Sequence, residues 1–127
     1  DKDVFLPVRD QGECGSCWAF ASVGTLEALR YIKTGKKEYL SPQQLVSCDE
    51  KEKGCKGGWP SIAYSYISRV GGVVSEKQYP YEAQTSTCKN DKIKNPEVKI
   101  ESRINRCDEE ECLENNKQYG FLLNGPI

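Results

Sequence analysis

Gln11-Gly12-Glu13-Cys14-Gly15-Ser16-Cys17-Trp18-Ala19-Phe20 sets a glutamine shortly before a cysteine that opens an apolar, helix-like stretch. Phe20, Val23, Leu26 and Ile32 recur at helical spacing, with Ala19, Ala21 and Ala28 between them, which predicts a helix from Cys17 to Lys33. Gly35, amid Lys33, Lys36 and Lys37, is its stop signal. Gly24 inside the helix costs roughly 1 kcal/mol relative to alanine, which predicts that it permits close packing. The thiolate is the nucleophilic form of cysteine, and the positive end of a helix dipole stabilises an anion. The start of a helix is therefore a place where a cysteine can do chemistry. The side-chain amide of Gln11 can donate a hydrogen bond to an oxyanion formed when that thiolate attacks a carbonyl.

At 127 residues the chain has the size of one domain with one modest core. Its 18 basic and 19 acidic residues give no global electrostatic case for nucleic acid or membrane partners. No apolar run approaches the ~20 residues that span a bilayer. The chain opens Asp1-Lys2-Asp3 without an apolar segment, so a mature or clipped product is expected rather than one with a signal peptide. Seven cysteines suggest metal or redox work in a reducing cytosol and bridges in an oxidising compartment, and the odd count leaves one thiol over. There is no Asn-x-Ser/Thr site and no internal repeat.

Residues 1–10 read as extended. Ser41-Pro42-Gln43-Gln44 predicts a short second helix: Ser41 caps, Pro42 suits the first helical position, Gln44 completes a capping box, and Leu45 and Val46 face the core. A third helix is expected from about Pro60 to Val70, stopped by Gly71-Gly72. Residues 89–98 read as an exposed loop, Val98–Ile104 as a strand, and Leu113–Leu123 as a last helix. Tyr79-Pro80-Tyr81 reads as a rigid turn carrying two rings into the core.

Cys14-x-x-Cys17 also admits a dithiol redox reading, but no βαβ unit precedes it and its tryptophan follows the second cysteine. A metal site from Cys14, Cys17, Cys48 and Cys55 is a further rival, with Cys48 and Cys55 wider apart than zinc-ribbon spacing prefers. The Cys14-Gly15-Ser16-Cys17-Trp18 run matches the signature around the nucleophile of papain and the cathepsins. With Gly54-Cys55-Lys56-Gly57-Gly58-Trp59-Pro60 and Tyr79-Pro80-Tyr81-Glu82, the chain resembles a papain-family, cathepsin-like cysteine protease.

The resemblance implies an α+β, papain-like fold: a mostly helical left domain over residues 1–104, then the start of a β-barrel-like right domain over 105–127. It makes Cys17 the catalytic nucleophile and Gln11, with the backbone N–H of Cys17, the oxyanion hole. Gly15, Gly57 and Gly58 would meet substrate, and Trp59 and Pro60 would line the pocket for the second side chain before the scissile bond. Lys53 falls near the third pocket, where it is either a solvated lysine or a residue that suits acidic or polar groups. The family pattern pairs Cys14 with Cys55 and Cys48 with Cys88; Cys107 and Cys112 are expected to form a local bridge or to pair with a partner chain. Glu27 would be buried and paired with a lysine from the other domain, outside this chain.

A papain-type thiolate needs a histidine, oriented by an asparagine, ~130–150 residues further on. This chain contains no histidine and too few residues after Cys17. The implied product is the first half of a cysteine peptidase, with histidine and asparagine on a second chain or segment and no activity alone. No metal or cofactor is implied. Peptide or protein substrates, and a pro-segment or protein inhibitor, are the expected partners, in a lysosome, a vacuole or the secreted space. A long histidine-bearing insertion of the cathepsin B kind is absent between Trp59 and Cys88, which favours an endopeptidase. The alternative is a non-catalytic fragment that only binds.

Overall fold

The first helix, α1, runs Cys17–Thr34, and its register follows from where its apolar side chains fall. Ala19, Val23 and Leu26 recur three to four residues apart and are buried with Trp18, so one stripe of the helix becomes the floor of the core. The helix ends where the Gly35 N–H donates to the Tyr31 carbonyl at 2.7 Å. The computed structural model describes residues 4–104 and 120–123.

Helix α2, Pro42–Cys48, begins as its cap dictates: Ser41 Oγ accepts from the Gln44 N–H at 3.1 Å, and proline occupies the first turn. Half of the expected capping box forms. The Gln44 side chain does not return to the Ser41 N–H, which instead donates to the Val74 carbonyl. Gln44 is fully buried, and its amide serves the Val74 N–H at 2.9 Å and the Gly72 carbonyl at 3.1 Å. Those buried backbone groups would otherwise be left without partners, and that cost exceeds what a box at the helix end would gain.

Helix α3, Pro60–Val70, packs on α1 and places Ala63, Tyr66 and Ile67 in the core with Leu45 and Val46 of α2. Val73 and Val74 are fully buried, and Val73 forms an isolated antiparallel bridge with Val98. The polar 89–98 stretch holds a short 3-10 turn, Asn90–Lys92, and is pinned by Gln78, whose amide donates to the carbonyls of Lys92 and Lys94.

Strand β1, Ile100–Ile104, pairs antiparallel with β2, Gly120–Leu123, in the register Ile104 to Gly120 and Arg103 to Phe121. The expected final helix over Leu113–Leu123 is therefore overturned at its C-terminal end. A short apolar run such as Phe121-Leu122-Leu123 fits either period, and pairing with β1 decides it. The rest of that stretch, with Cys107 and Cys112, lies outside the described residues.

Two further expectations are corrected. Glu27 is buried as implied, but its partner is on this chain: Arg9 Nη2 lies 3.1 Å from Glu27 Oε2, which also accepts from the Leu40 N–H at 2.8 Å. A Cβ at Gly24 would meet nothing within 4 Å among the described residues, so that face of α1 is open rather than closely packed.

Candidate active site

Four of the described cysteines are bridged, Cys14 to Cys55 and Cys48 to Cys88. Cys17 is free and exposed at the first position of α1. The pairings remove both rival readings of the cysteines. A redox pair needs Cys14 as a thiol, and the metal set would need three sulfurs that are already in disulfides.

The loop before Cys17 is held by hydrogen bonds that sequence order does not suggest. Gln11 Nε2 donates to the Cys14 carbonyl at 2.7 Å. A primary amide has two N–H bonds, so fixing one orients the other. Tyr81 Oη donates to the Gln11 carbonyl at 2.6 Å and lies 2.6 Å from Ser16 Oγ. A carbonyl can only accept, so Tyr81 gives its proton to Gln11, and Ser16 in turn donates to Tyr81. Ser16, at the cap position of α1, has φ −108° and ψ 18°, not the extended backbone of a capping residue, and its side chain makes no bond to the first-turn amides. The Ala19 N–H donates to the Ser16 carbonyl at 2.9 Å, and the positive end of the helix dipole lies at the exposed thiol.

The glycine run is fastened to the same helix start. The Gly15 N–H donates to the Cys55 carbonyl at 2.7 Å, and Gly15 and Lys56 form a parallel bridge. A Cβ at Gly15 would lie 2.5 Å from that carbonyl, so only glycine permits the approach. The Trp18 indole N–H donates to the Gly54 carbonyl at 3.0 Å, and a Cβ on Gly58 would be 2.8 Å from the Trp18 ring. The residue next to the thiol is thus the surface on which Gly58 rests. Gly57, at φ 121°, has nothing within 4 Å of where a Cβ would stand, and this leaves room for another backbone beside it. Trp59 is 70 % exposed and Pro60 half-buried.

A cavity of about 400 Å³ opens against Gly57, Gly58 and Trp59, with Lys51, Lys53 and Lys56 among its lining. Cys17 does not line it; the cavity flanks the glycine run instead. The Glu52 carboxylate accepts from the Trp59 N–H, and burial pushes its pKa up against the lowering effect of that bond. Sequence reasoning did not single out Glu52, Ser16 or Arg9, and read Tyr81 as part of a structural turn.

A free thiol at a helix start, an anchored amide in the preceding loop and an open glycine wall lie together at the start of α1. The model of the papain family of cysteine proteases matches residues 1–127. The chain is 44 % identical over 100 residues to chymomexicain of Jacaratia mexicana, covering 79 % of this chain and 46 % of that protein. It is 45 % identical over 98 residues to caricain of Carica papaya, covering 77 % and 28 %. Its fold is similar to the crystal structure of Amb a 11, a ragweed pollen cysteine protease and major allergen, in its proform. That match has TM-score 0.77 at 43 % identity and covers 89 % of this chain and 35 % of that one. The chain belongs to the papain family of cysteine proteases, and its described part is mostly helical with little strand, as the helical left domain of that fold is. It spans less than half the length of these relatives. The two disulfides fit an oxidising compartment, and among the described residues no helix is long and apolar enough to cross a membrane.

Proposed function

We propose that this chain is the nucleophile-bearing portion of a papain-type cysteine endopeptidase. The observation that carries the reading is the exposed, unbridged thiol of Cys17 at the start of α1, beside a loop in which the Gln11 amide is anchored to the Cys14 carbonyl. Cys17 Sγ bonds to the carbonyl carbon of a peptide, and the Gln11 amide and the Cys17 N–H receive the charge on oxygen. The C–N bond then breaks, the amine leaves with a proton, and water hydrolyses the thioester to return the thiol. The histidine that moves these protons and the asparagine that orients it belong to a second chain or segment, so residues 1–127 alone have no protease activity.

Gly57 and Gly58 lie alongside the substrate backbone, with Gly15 close to it. Trp59 and Pro60 form the wall for the second side chain before the scissile bond. The division into a helical domain, 1–104, and the start of a β domain, 105–127, is part of the same proposal, as are a pro-segment or protein inhibitor as partner and a lysosomal, vacuolar or secreted location. Lys53, with Lys51 and Lys56 around the adjoining cavity, suits an acidic side chain at the third position.

The test is labelling of the complete enzyme with a peptidyl epoxide or vinyl sulfone. The adduct is expected on Cys17 and lost in Cys17→Ser. Labelling elsewhere, or none, favours the reading of the chain as a binding remnant. An intact mass under non-reducing conditions identifies whether the histidine arrives on a disulfide-linked chain.

A further inference from the structure

We infer that Tyr81 is a positioning residue for the oxyanion hole, an inference that rests on the proposed thiol-protease function. Its hydroxyl joins the two pieces of backbone that must be held together for that role. It donates to the carbonyl of Gln11 at 2.6 Å and accepts from the hydroxyl of Ser16, the residue immediately before Cys17. One oxygen therefore bridges the loop that carries the amide donor to the helix start that carries the backbone donor.

The hydroxyl is itself held from two sides. The Tyr81 N–H donates to Glu76 Oε2 at 2.8 Å, and Glu76 Oε1 accepts from Arg9 Nη1 at 3.2 Å. The Tyr81 ring meets Phe20 of α1 edge to face, with centroids 4.9 Å apart, and Arg9 lies over the same Phe20 ring. Ring and backbone are both braced before the hydroxyl reaches the loop. Such support matters because an oxyanion donor acts through preorganisation, and a donor that must be reoriented during the reaction loses most of its effect.

Removing only the hydroxyl leaves the Gln11 carbonyl and the Ser16 hydroxyl without their partner. Ser16 Oγ then has the Cys14 carbonyl, 3.4 Å away, as its remaining acceptor, and that is the atom that fixes the Gln11 amide. The loop loosens at both the main-chain and the side-chain end of Gln11, while the thiol stays where it is.

The experiment compares Tyr81→Phe with the unsubstituted complete enzyme, using two reagents for the same sulfur. A peptide aldehyde forms a hemithioacetal whose oxygen occupies the oxyanion position. Iodoacetamide alkylates by displacement at carbon and develops no oxyanion. Loosening a donor costs less than deleting one, so kcat and aldehyde affinity are each expected to fall by about 10-fold, with KM and the alkylation rate within about 2-fold. Ser16→Ala is expected to shift aldehyde affinity in the same direction by a smaller factor. Unchanged aldehyde affinity in both variants overturns the inference. So does an alkylation rate that falls as far as kcat, since that reports general disruption of the helix start. Failure of the unsubstituted enzyme to form either adduct at Cys17 overturns the proposed function and this inference with it, whereas an aldehyde adduct equally tight in Tyr81→Phe overturns this inference alone.

Discussion

Arg9 is the residue whose removal best tests how the left domain is held. Its guanidinium reaches Glu27 at 3.1 Å and Glu76 at 3.2 Å, donates to the Leu40 carbonyl, and lies 4.1 Å from the Tyr39 ring centroid and 5.0 Å from that of Phe20. The perturbation is Arg9→Met, which keeps an apolar stem and removes the charge. Deleting one partner of a buried ion pair costs ~3–5 kcal/mol. Arg9 is 19 % and Glu76 27 % exposed, so solvent screening reduces that to about 2 kcal/mol, and the two ring contacts add about 1. The expected loss at neutral pH is therefore about 3 kcal/mol, read by urea unfolding of the complete enzyme with Cys17 blocked.

The same variant has a signed pH dependence. Burial is the largest influence on Glu27 and Glu76 and raises both pKa values, and Arg9 is among the groups that pull them back down. A carboxyl with a raised folded pKa binds more protons when folded. Its stabilising contribution is full below the unfolded value and is lost as pH rises through the folded one, by at most ~1.4 kcal/mol per pH unit per group. Without Arg9 both pKa values rise further and the decline steepens. The cost of Arg9→Met should thus shrink to about 1 kcal/mol near pH 4, where protonation removes the charge pairing and the ring contacts and the long Leu40 hydrogen bond are what the variant lacks. An equal cost at pH 4 and pH 7, or one below about 1 kcal/mol at pH 7, refutes the reasoning.

Gln11→Ala should lower turnover by ~10²–10³-fold with little change in KM, as for other single oxyanion donors; unchanged turnover takes Gln11 out of the mechanism. Lys53→Glu should move preference between peptides bearing glutamate or lysine at the third position before the scissile bond by about 5-fold toward lysine at low salt, as expected of an exposed charge. The shift should shrink at high salt, and its absence at low salt would make Lys53 a solvated residue.

The three helices were legible because their signals are local. Gly35 and Gly71 end α1 and α3, Ser41 and Pro42 start α2, and the apolar spacing between these markers has one reading. What could not be read depends on partners distant in sequence. The mate of Glu27 is Arg9, in an extended segment whose side chains carry no periodic pattern. Tyr81 reaches across 70 residues to Gln11 and 65 to Ser16, and nothing in Tyr-Pro-Tyr records which way a hydroxyl will point once folded. The Gln44 amide left its box for the main chain of Gly72 and Val74 because burial raises the cost of leaving those groups unpaired. The strand at Gly120–Leu123 exists through its pairing with β1, and a four-residue apolar run cannot announce that by itself. The cysteine pairings came from resemblance to relatives, since spacing alone permits many.

The two disulfides provide a matched comparison between holding the chain together and holding the site together. They close loops of 41 and 40 residues, so constraint of the unfolded chain assigns each nearly the same stabilisation, about 4 kcal/mol. Their placement differs. Cys48–Cys88 joins the end of α2 to the segment before Asn90. Cys14–Cys55 joins the loop before the thiol to the glycine wall, in the same place as the Gly15-to-Cys55 hydrogen bond, and the Cys14 carbonyl is the acceptor that holds the Gln11 amide. Replacing each pair by two serines should therefore lower the unfolding midpoint of the complete enzyme by similar amounts. Well below both midpoints, kcat/KM should fall by at least about 10-fold in Cys14→Ser/Cys55→Ser and stay within about 2-fold in Cys48→Ser/Cys88→Ser. Equal activity losses would mean that the first bridge acts on catalysis only through global stability, and that the hydrogen bonds of Gly15, Trp18 and Tyr81 suffice to align thiol and wall without it.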